Sequence, residues 1–274
     1  MKSPGTRWPT DSADPPGTVR VQKYLAHLGL GSRREIEGWI RAGRLTSAGQ
    51  VLALGDRINP GDLLFLDGRP LVRPRQVDIP LRILLYHKPA GELTTRRDPE
   101  GRPTVFERLP RLRQGRWIAV GRLDFNSEGL LLFTTHGDLA RRLMHPSGGW
   151  VREYRVRIRG RLAAATEFVL RGGIDLEDGR ASFDELEAVG GRGVNNWYRV
   201  VVHEGRNRLV RRLFESQGCR VNRLIRTRYG PFVLPRDLGT GGVRELGPEA
   251  VSDLAEVRPE DRAPVSRKDP AAGQ

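Results

Sequence analysis

The chain is poor in cysteine and in lysine, and each shortage narrows what it can be. Cys219 is the single cysteine among 274 residues. An internal disulfide is therefore excluded, as is any zinc site built on cysteine pairs. Lysine occurs only at positions 2, 23, 88 and 268, so arginine supplies the other 43 of the 47 basic residues. The five histidines (27, 87, 136, 145 and 203) lack paired ligand spacing, so no metal is expected. No run of apolar residues is long enough for a spanning helix, and the mean hydropathy is −0.49. The first sixteen residues, rich in Pro, Gly, Ser and Asp, do not form a secretory leader pattern, so a cytoplasmic location is expected. There is no Gly-x-Ser-x-Gly elbow, and Gly190-Gly191-Arg192-Gly193 is not followed by the Gly-Lys-Ser/Thr of a phosphate loop.

What is abundant is positive charge. The formal net charge is +14 and the sequence pI is about 11.0. A field of that sign favours a polyanion, and counterion release gives such a chain affinity for nucleic acid. Arginine suits phosphate because its planar fork bonds two oxygens at once and stacks on bases. The length allows one or two domains with a substantial core.

From Val19 the chain alternates helical and strand signals. Val21, Tyr24, Leu25 and Leu28 have helical spacing. Ser32 followed by Glu35 reads as a capping box for a second helix reaching Ala42, with Ile36, Trp39 and Ile40 inward and Gly43 closing it. Short strands are expected around Leu45–Thr46, Val51–Leu54 and Leu63–Leu66. Arg33, Arg34, Arg41 and Arg44 gather on and just past the second helix. Gly-Ser-Arg-Arg-Glu-Ile-Glu and Ala-Gly-Arg-Leu-Thr resemble the S4 RNA-binding domain, which implies that these four arginines face RNA. Residues 69–81 hold Pro70, Pro74 and Pro80 and read as a linker, which sets boundaries at 19–68 for the S4-like domain and 82–257 for a second domain. Residues 1–18 and 258–274 read as disordered tails by composition.

The second domain turns on residues 119–144. The apolar run 117–120 meets Gly121-Arg122-Leu123-Asp124, and Gly129 opens a second run, Leu130 to Thr134. Two short apolar runs about a polar, glycine-bounded loop read as two buried strands. Asp124 in that loop can be a turn cap or a carboxylate with chemistry to do. The whole string resembles the catalytic motif of the pseudouridine synthases that share a fold with the small-ribosomal-subunit enzyme. In that family the aspartate is the indispensable group. His87-Lys88-Pro89-Ala90-Gly91 resembles a further family motif, and Glu204-Gly205-Arg206-Asn207-Arg208-Leu209-Val210-Arg211-Arg212-Leu213-Phe214 a third. Leu209 stands where the family usually has Gln, Leu213 where it has Met, and His136 where an acid is usual. The loop 92–121, Leu-Met-His-Pro-Ser at 143–147 and Arg-Glu-Tyr at 152–154 are similar to the branch that modifies the large subunit.

The resemblance implies an α+β chain: an S4-like module, then a catalytic domain on a mixed, mainly antiparallel sheet flanked by helices. It implies isomerisation of uridine to pseudouridine, with the base flipped out of its stack. Asp124 would be the catalytic carboxylate, Arg211 its paired cation and Tyr154 the face on which the base stacks. Lys88, Arg96, Arg97, Arg102, Arg122, Arg206, Asn207, Arg208 and Arg212 are the further expected RNA contacts. The branch implies a hairpin loop in domain V of 23S rRNA, free or in a large-subunit assembly intermediate, bound by a monomer without cofactor, metal or membrane. Whether Asp124 acts on the base or on the ribose stays open. The competing readings are a non-catalytic RNA-binding assembly factor and a synthase of small-subunit rRNA or tRNA.

The remaining pattern supplies the frame. Ile83–Tyr86, Glu153–Arg159, Tyr198–His203 and Val221–Ile225 read as strands, 138–144, 163–170 and 207–217 as helices, 190–193 as a flexible loop, 244–246 as an edge strand and 249–256 as a short helix.

Overall fold

The computed structural model describes residues 17–71 and 79–247. Residues 1–16 of the expected 1–18 tail, the 258–274 tail, the middle of the 69–81 linker and the 249–256 helix lie outside the described residues, while Thr18 of the first tail accepts hydrogen bonds from Arg57. The chain divides into two compact units. The first takes the described residues up to Leu81, with Pro110–Ile118 and Thr135–Gly137. The second takes Arg82–Leu109, Ala119–Thr134 and the described residues from Asp138 on.

In the first unit, helices Val21–His27 and Arg33–Arg41 pack together. The capping box forms as read: Glu35 N donates to Ser32 Oγ at 3.1 Å, and Ser32 N donates to Glu35 Oε2 at 3.3 Å. Val21, Leu25, Ile36, Ile40, Leu45, Ile58 and Leu64 make the core, with Trp39 partly buried against it. A four-stranded sheet runs in the order Gln50–Val51, Leu45–Ser47, Leu64–Leu66, Arg69–Pro70. The boundary at 68 therefore cuts a hairpin. Arg69 and Pro70 pair with Leu66 and Phe65, and Leu71 N donates to Leu64 O. Pro70 is tolerated there because an edge strand does not need every donor.

The second unit is built on a nine-stranded sheet. Its main path is Glu185–Arg192, Asn195–Val202, Arg152–Arg159, Val221–Tyr229, Glu128–Thr134, Ile83–Lys88, Val243–Glu245. Phe232–Val233 and Ile118–Val120 add to it off that path. The named pairings are antiparallel except one, where Ile225 and Arg226 run parallel to Glu128 and Gly129. Every residue of Glu128–Thr134 is buried, which is why its apolar run is continuous rather than alternating. Helices Ala164–Gly172 and Leu209–Glu215 flank the sheet, with Leu170, Val210, Leu213 and Phe214 against Val156, Ile158 and Val200.

Two local readings change. Gly190, Gly191 and Arg192 are strand residues paired with Trp197, Asn196 and Asn195, not a loop, and a bulge between Ala188 and Gly190 takes up Val189. The 207–217 helix shortens to Leu209–Glu215, because Arg208 takes a left-handed backbone with φ of 50°.

Candidate active site

The site is assembled from backbone outward. Asp124 lies in the loop ahead of Glu128–Thr134, and Ser127 N donates to Asp124 O at 3.0 Å to close the turn. The loop's carbonyls are then taken up one by one. Thr94 Oγ1 donates to Leu123 O at 2.9 Å, and Gly91 N to Phe125 O at 2.8 Å. Lys88 Nζ donates to Pro89 O at 2.8 Å, Ser127 O at 2.9 Å and Phe125 O at 3.3 Å. Arg211 donates through Nη2 to Asn126 O and through Nη1 to Val221 O, each at 3.1 Å. Satisfying a loop's polar backbone from below fixes it without using the side chain that faces out.

Asp124 is that outward side chain, half-buried with 35% of it exposed. The nearest guanidinium is not the expected one. Arg208 Nη1 stands 3.9 Å from Asp124 Oδ2, and Arg208 Nη2 stands 3.5 Å from Glu215 Oε1. Arg211 is buried, and its hydrogen bonds go to Asn126 O, Val221 O and Ser127 Oγ. Burial and the neighbouring Arg208 pull its pKa below the usual arginine value, while Asp124 and Glu215 draw it up. Arg211 therefore braces the loop and adds field at Asp124 without touching it.

A cavity of about 610 Å³ opens in front of Asp124. Tyr154 lines the same cavity, half-buried against the core cluster. So do five of the expected RNA contacts: Arg96, Arg122, Arg206, Asn207 and Arg208. Arg96 sits over the Phe106 ring at 4.4 Å. Several expected contacts, Arg206 of the cavity among them, are drawn away by carboxylates. Arg206 bonds Glu204 and Asp178, Arg212 grips Asp178 at 2.8 Å through both Nη groups, and Arg102 grips Asp98. Arg97 is exposed and lies off the cavity. Arg33, Arg34, Arg41 and Arg44 are exposed in the first unit, with Arg41 near Glu37 and Arg44 bidentate to Asp67.

Lys88 is a correction. It is fully buried and spends its ammonium on three carbonyls, so no RNA phosphate reaches it. Burial lowers its pKa to about 8, against the upward pull of Glu92, Asp124 and Glu128.

Two buried cations of the cavity wall were not singled out in the sequence, Arg152 and Arg226, at 7% and 3% exposure. Period-2 spacing was the available signal, since Leu224 and Arg226 share the inward parity of their strand. Among the described residues, no group of three or more His, Cys, Asp or Glu is placed to hold a metal, and no helix is long and apolar enough to cross a membrane.

A carboxylate, an aromatic face and a cationic rim about one concave space define a site for chemistry on a base. Comparison with known proteins agrees on the class. Residues 82–216 match the RNA pseudouridylate synthase family and residues 19–64 the S4 domain. Ribosomal large subunit pseudouridine synthase B of Escherichia coli K12 is 51% identical over 252 residues, covering 90% of this chain and 87% of that protein. Its Pseudomonas aeruginosa counterpart is 52% identical over 238 residues, covering 86% of this chain, which spans only 62% of that protein's length. The Haemophilus influenzae counterpart is 53% identical over 240 residues, covering 87% of this chain and 67% of that protein. A crystal structure of a pseudouridylate synthase shares the fold, with a TM-score of 0.61 at 23% identity over 86% of this chain and 99% of that one. The chain belongs to the RNA pseudouridylate synthase family. It is an enzyme of the S4-bearing kind, α+β in class, with a mixed and mainly antiparallel sheet in its catalytic unit.

Proposed function

We propose that this chain converts one uridine of large-subunit rRNA to pseudouridine, in a domain V stem-loop of 23S rRNA, acting as a cytoplasmic monomer on free rRNA or an assembly intermediate. The names and identity of its relatives support the rRNA substrate. The observation that carries the reaction is that Asp124 and Tyr154 line one cavity with a cationic rim.

The target base leaves its stack and enters the cavity, and Tyr154 offers it a π face. The bond from uracil N1 to ribose C1′ breaks, the ring turns, and C5 bonds to C1′ while its proton moves to N1. Atoms and electrons balance, so no cofactor or oxidant is consumed. Asp124 acts either by adding to the ring or by working on the ribose, and both routes need its ionised form. Arg208 holds its guanidinium 3.9 Å from that carboxylate, and Arg211 adds positive charge behind the loop. Arg122, Asn207 and Arg208 hold backbone at the rim, and Arg33, Arg34 and Arg41 hold it on the S4 domain. Such contacts position RNA without reading its sequence.

The test is Asp124→Asn protein on 23S rRNA that lacks the modification, followed by pseudouridine mapping. The wild type should modify one uridine and the variant none. Undiminished modification by the variant would sink the reading, as would a mapped site in small-subunit rRNA or tRNA.

A further inference from the structure

The cavity wall holds two buried guanidiniums, and they differ in what they have left to give. Arg152 has both Nη groups engaged: Nη1 donates to Trp150 O and His203 O at 3.1 Å, and Nη2 to Tyr229 Oη at 3.3 Å. Arg226 does not. Its Nε donates to Leu130 O at 2.7 Å, and neither Nη group meets an acceptor among the described residues. The residue is 3% exposed and its guanidinium lies 5.0 Å from the Tyr229 ring centre. A buried cation with unused donors is costly unless something else supplies the acceptor.

Its position says what that acceptor belongs to. Arg226 is the direct cross-strand partner of Tyr154. Opposed residues of an antiparallel pair put their side chains on one face, about 5 Å apart at Cβ. On its other side Arg226 pairs with Gly129, where an added Cβ would lie 2.2 Å from the Arg226 carbonyl oxygen. The backbone under Arg226 is thus fixed against the strand that carries the Asp124 loop. A pyrimidine stacked on Tyr154 brings its edge beside donors that have nothing else to bond.

We propose that Arg226 is the residue that reads the target base, donating its free Nη hydrogens to the O4 carbonyl oxygen of uracil. The inference rests on the proposed function. A guanidinium carries donors only, so it accepts the uracil edge and rejects the cytosine edge, where an amino group stands in place of O4. Selectivity of this kind arises because the wrong base leaves a buried donor unpaired.

The experiment measures binding of the full-length Asp124→Asn protein, which cannot turn over, to two RNA hairpins. One carries the mapped uridine, and the other differs only by cytidine there. The parent should prefer uridine by about tenfold or more. Adding Arg226→Met should bring the two affinities within roughly threefold, chiefly by weakening uridine binding. Arg226→Gln, which brings an acceptor, should narrow the gap further by tolerating cytidine, and Arg226→Lys should keep the preference. Equal affinities in the parent overturn the inference whether or not any variant folds. A preference that survives in a natively folded Met or Gln variant also overturns it. Equal weakening of both hairpins marks a purely structural arginine and does the same. A parent that binds neither hairpin above an unrelated one takes down the rRNA reading itself, and this inference with it.

Discussion

Arg208, and not Arg211, presents the guanidinium closest to Asp124, at 3.9 Å, from a backbone held in the left-handed region at φ of 50°. Arg211 stands behind the loop with its donors on Asn126 O and Val221 O. One arginine faces the carboxylate and the other holds the frame.

The two should separate on substitution. Arg211→Met removes the donor from one buried and one partly buried carbonyl and should cost about 2–4 kcal/mol in unfolding free energy. Arg208→Gly removes a half-exposed charge and suits the positive φ, so the melting temperature should hold or rise. Its kcat/KM should fall roughly three- to tenfold, with the deficit shrinking as salt screens the wild-type pair. Denaturant unfolding and initial rates at two ionic strengths check both.

Lys88 gives a pH signature. Its folded pKa of about 8 lies below the value near 10.5 of a free lysine, so between those pH values the unfolded chain binds more protons. Stability must then rise with pH across that window, as the cost of keeping a buried ammonium charged is relieved. Lys88→Met removes the proton uptake, so wild type should gain on the variant by up to about 3 kcal/mol from pH 8 to 10.5. Below pH 8 the difference should be flat. Urea titrations of both proteins in steps of pH would show it.

Gly129 combines a φ of 102° with no space for a side chain beneath Arg226. Gly129→Ala should break the parallel pair that joins the Asp124 strand to Val221–Tyr229. A loss above about 3 kcal/mol is expected, read as insoluble protein or a collapsed melting temperature.

Asp178 draws Arg206 and Arg212 away from the solvent they were expected to face. Asp178→Ala should return Arg212 to RNA, while Glu204 and the carbonyls of Gly179 and Arg180 keep Arg206 on the protein. The slope of log affinity against log salt should then steepen by about 0.7. An unchanged slope would mean that Arg212 finds no phosphate.

The sequence carried the local order of this molecule because local order rests on neighbours in the chain. Ser32 and Glu35 cap their helix three residues apart, the Leu130–Thr134 run demands a strand buried on both faces, and the Asp124 string names the reactive loop. Those signals, together with +14 net charge, identified the class of partner and of chemistry before any coordinates. What they could not supply was competition between groups far apart in sequence. Lys88 reads as a phosphate contact because it is a cation beside a motif, yet the fold buries it under residues 125–127. Arg212 reads as another, and Asp178, 34 residues away, claims it. Arg226 and Tyr154 lie 72 positions apart and become neighbours only when their strands pair. A guanidinium is free or spent according to which acceptors the fold brings within about 3 Å, so the motif determined that arginines are present, and the tertiary structure decided which of them are left to act.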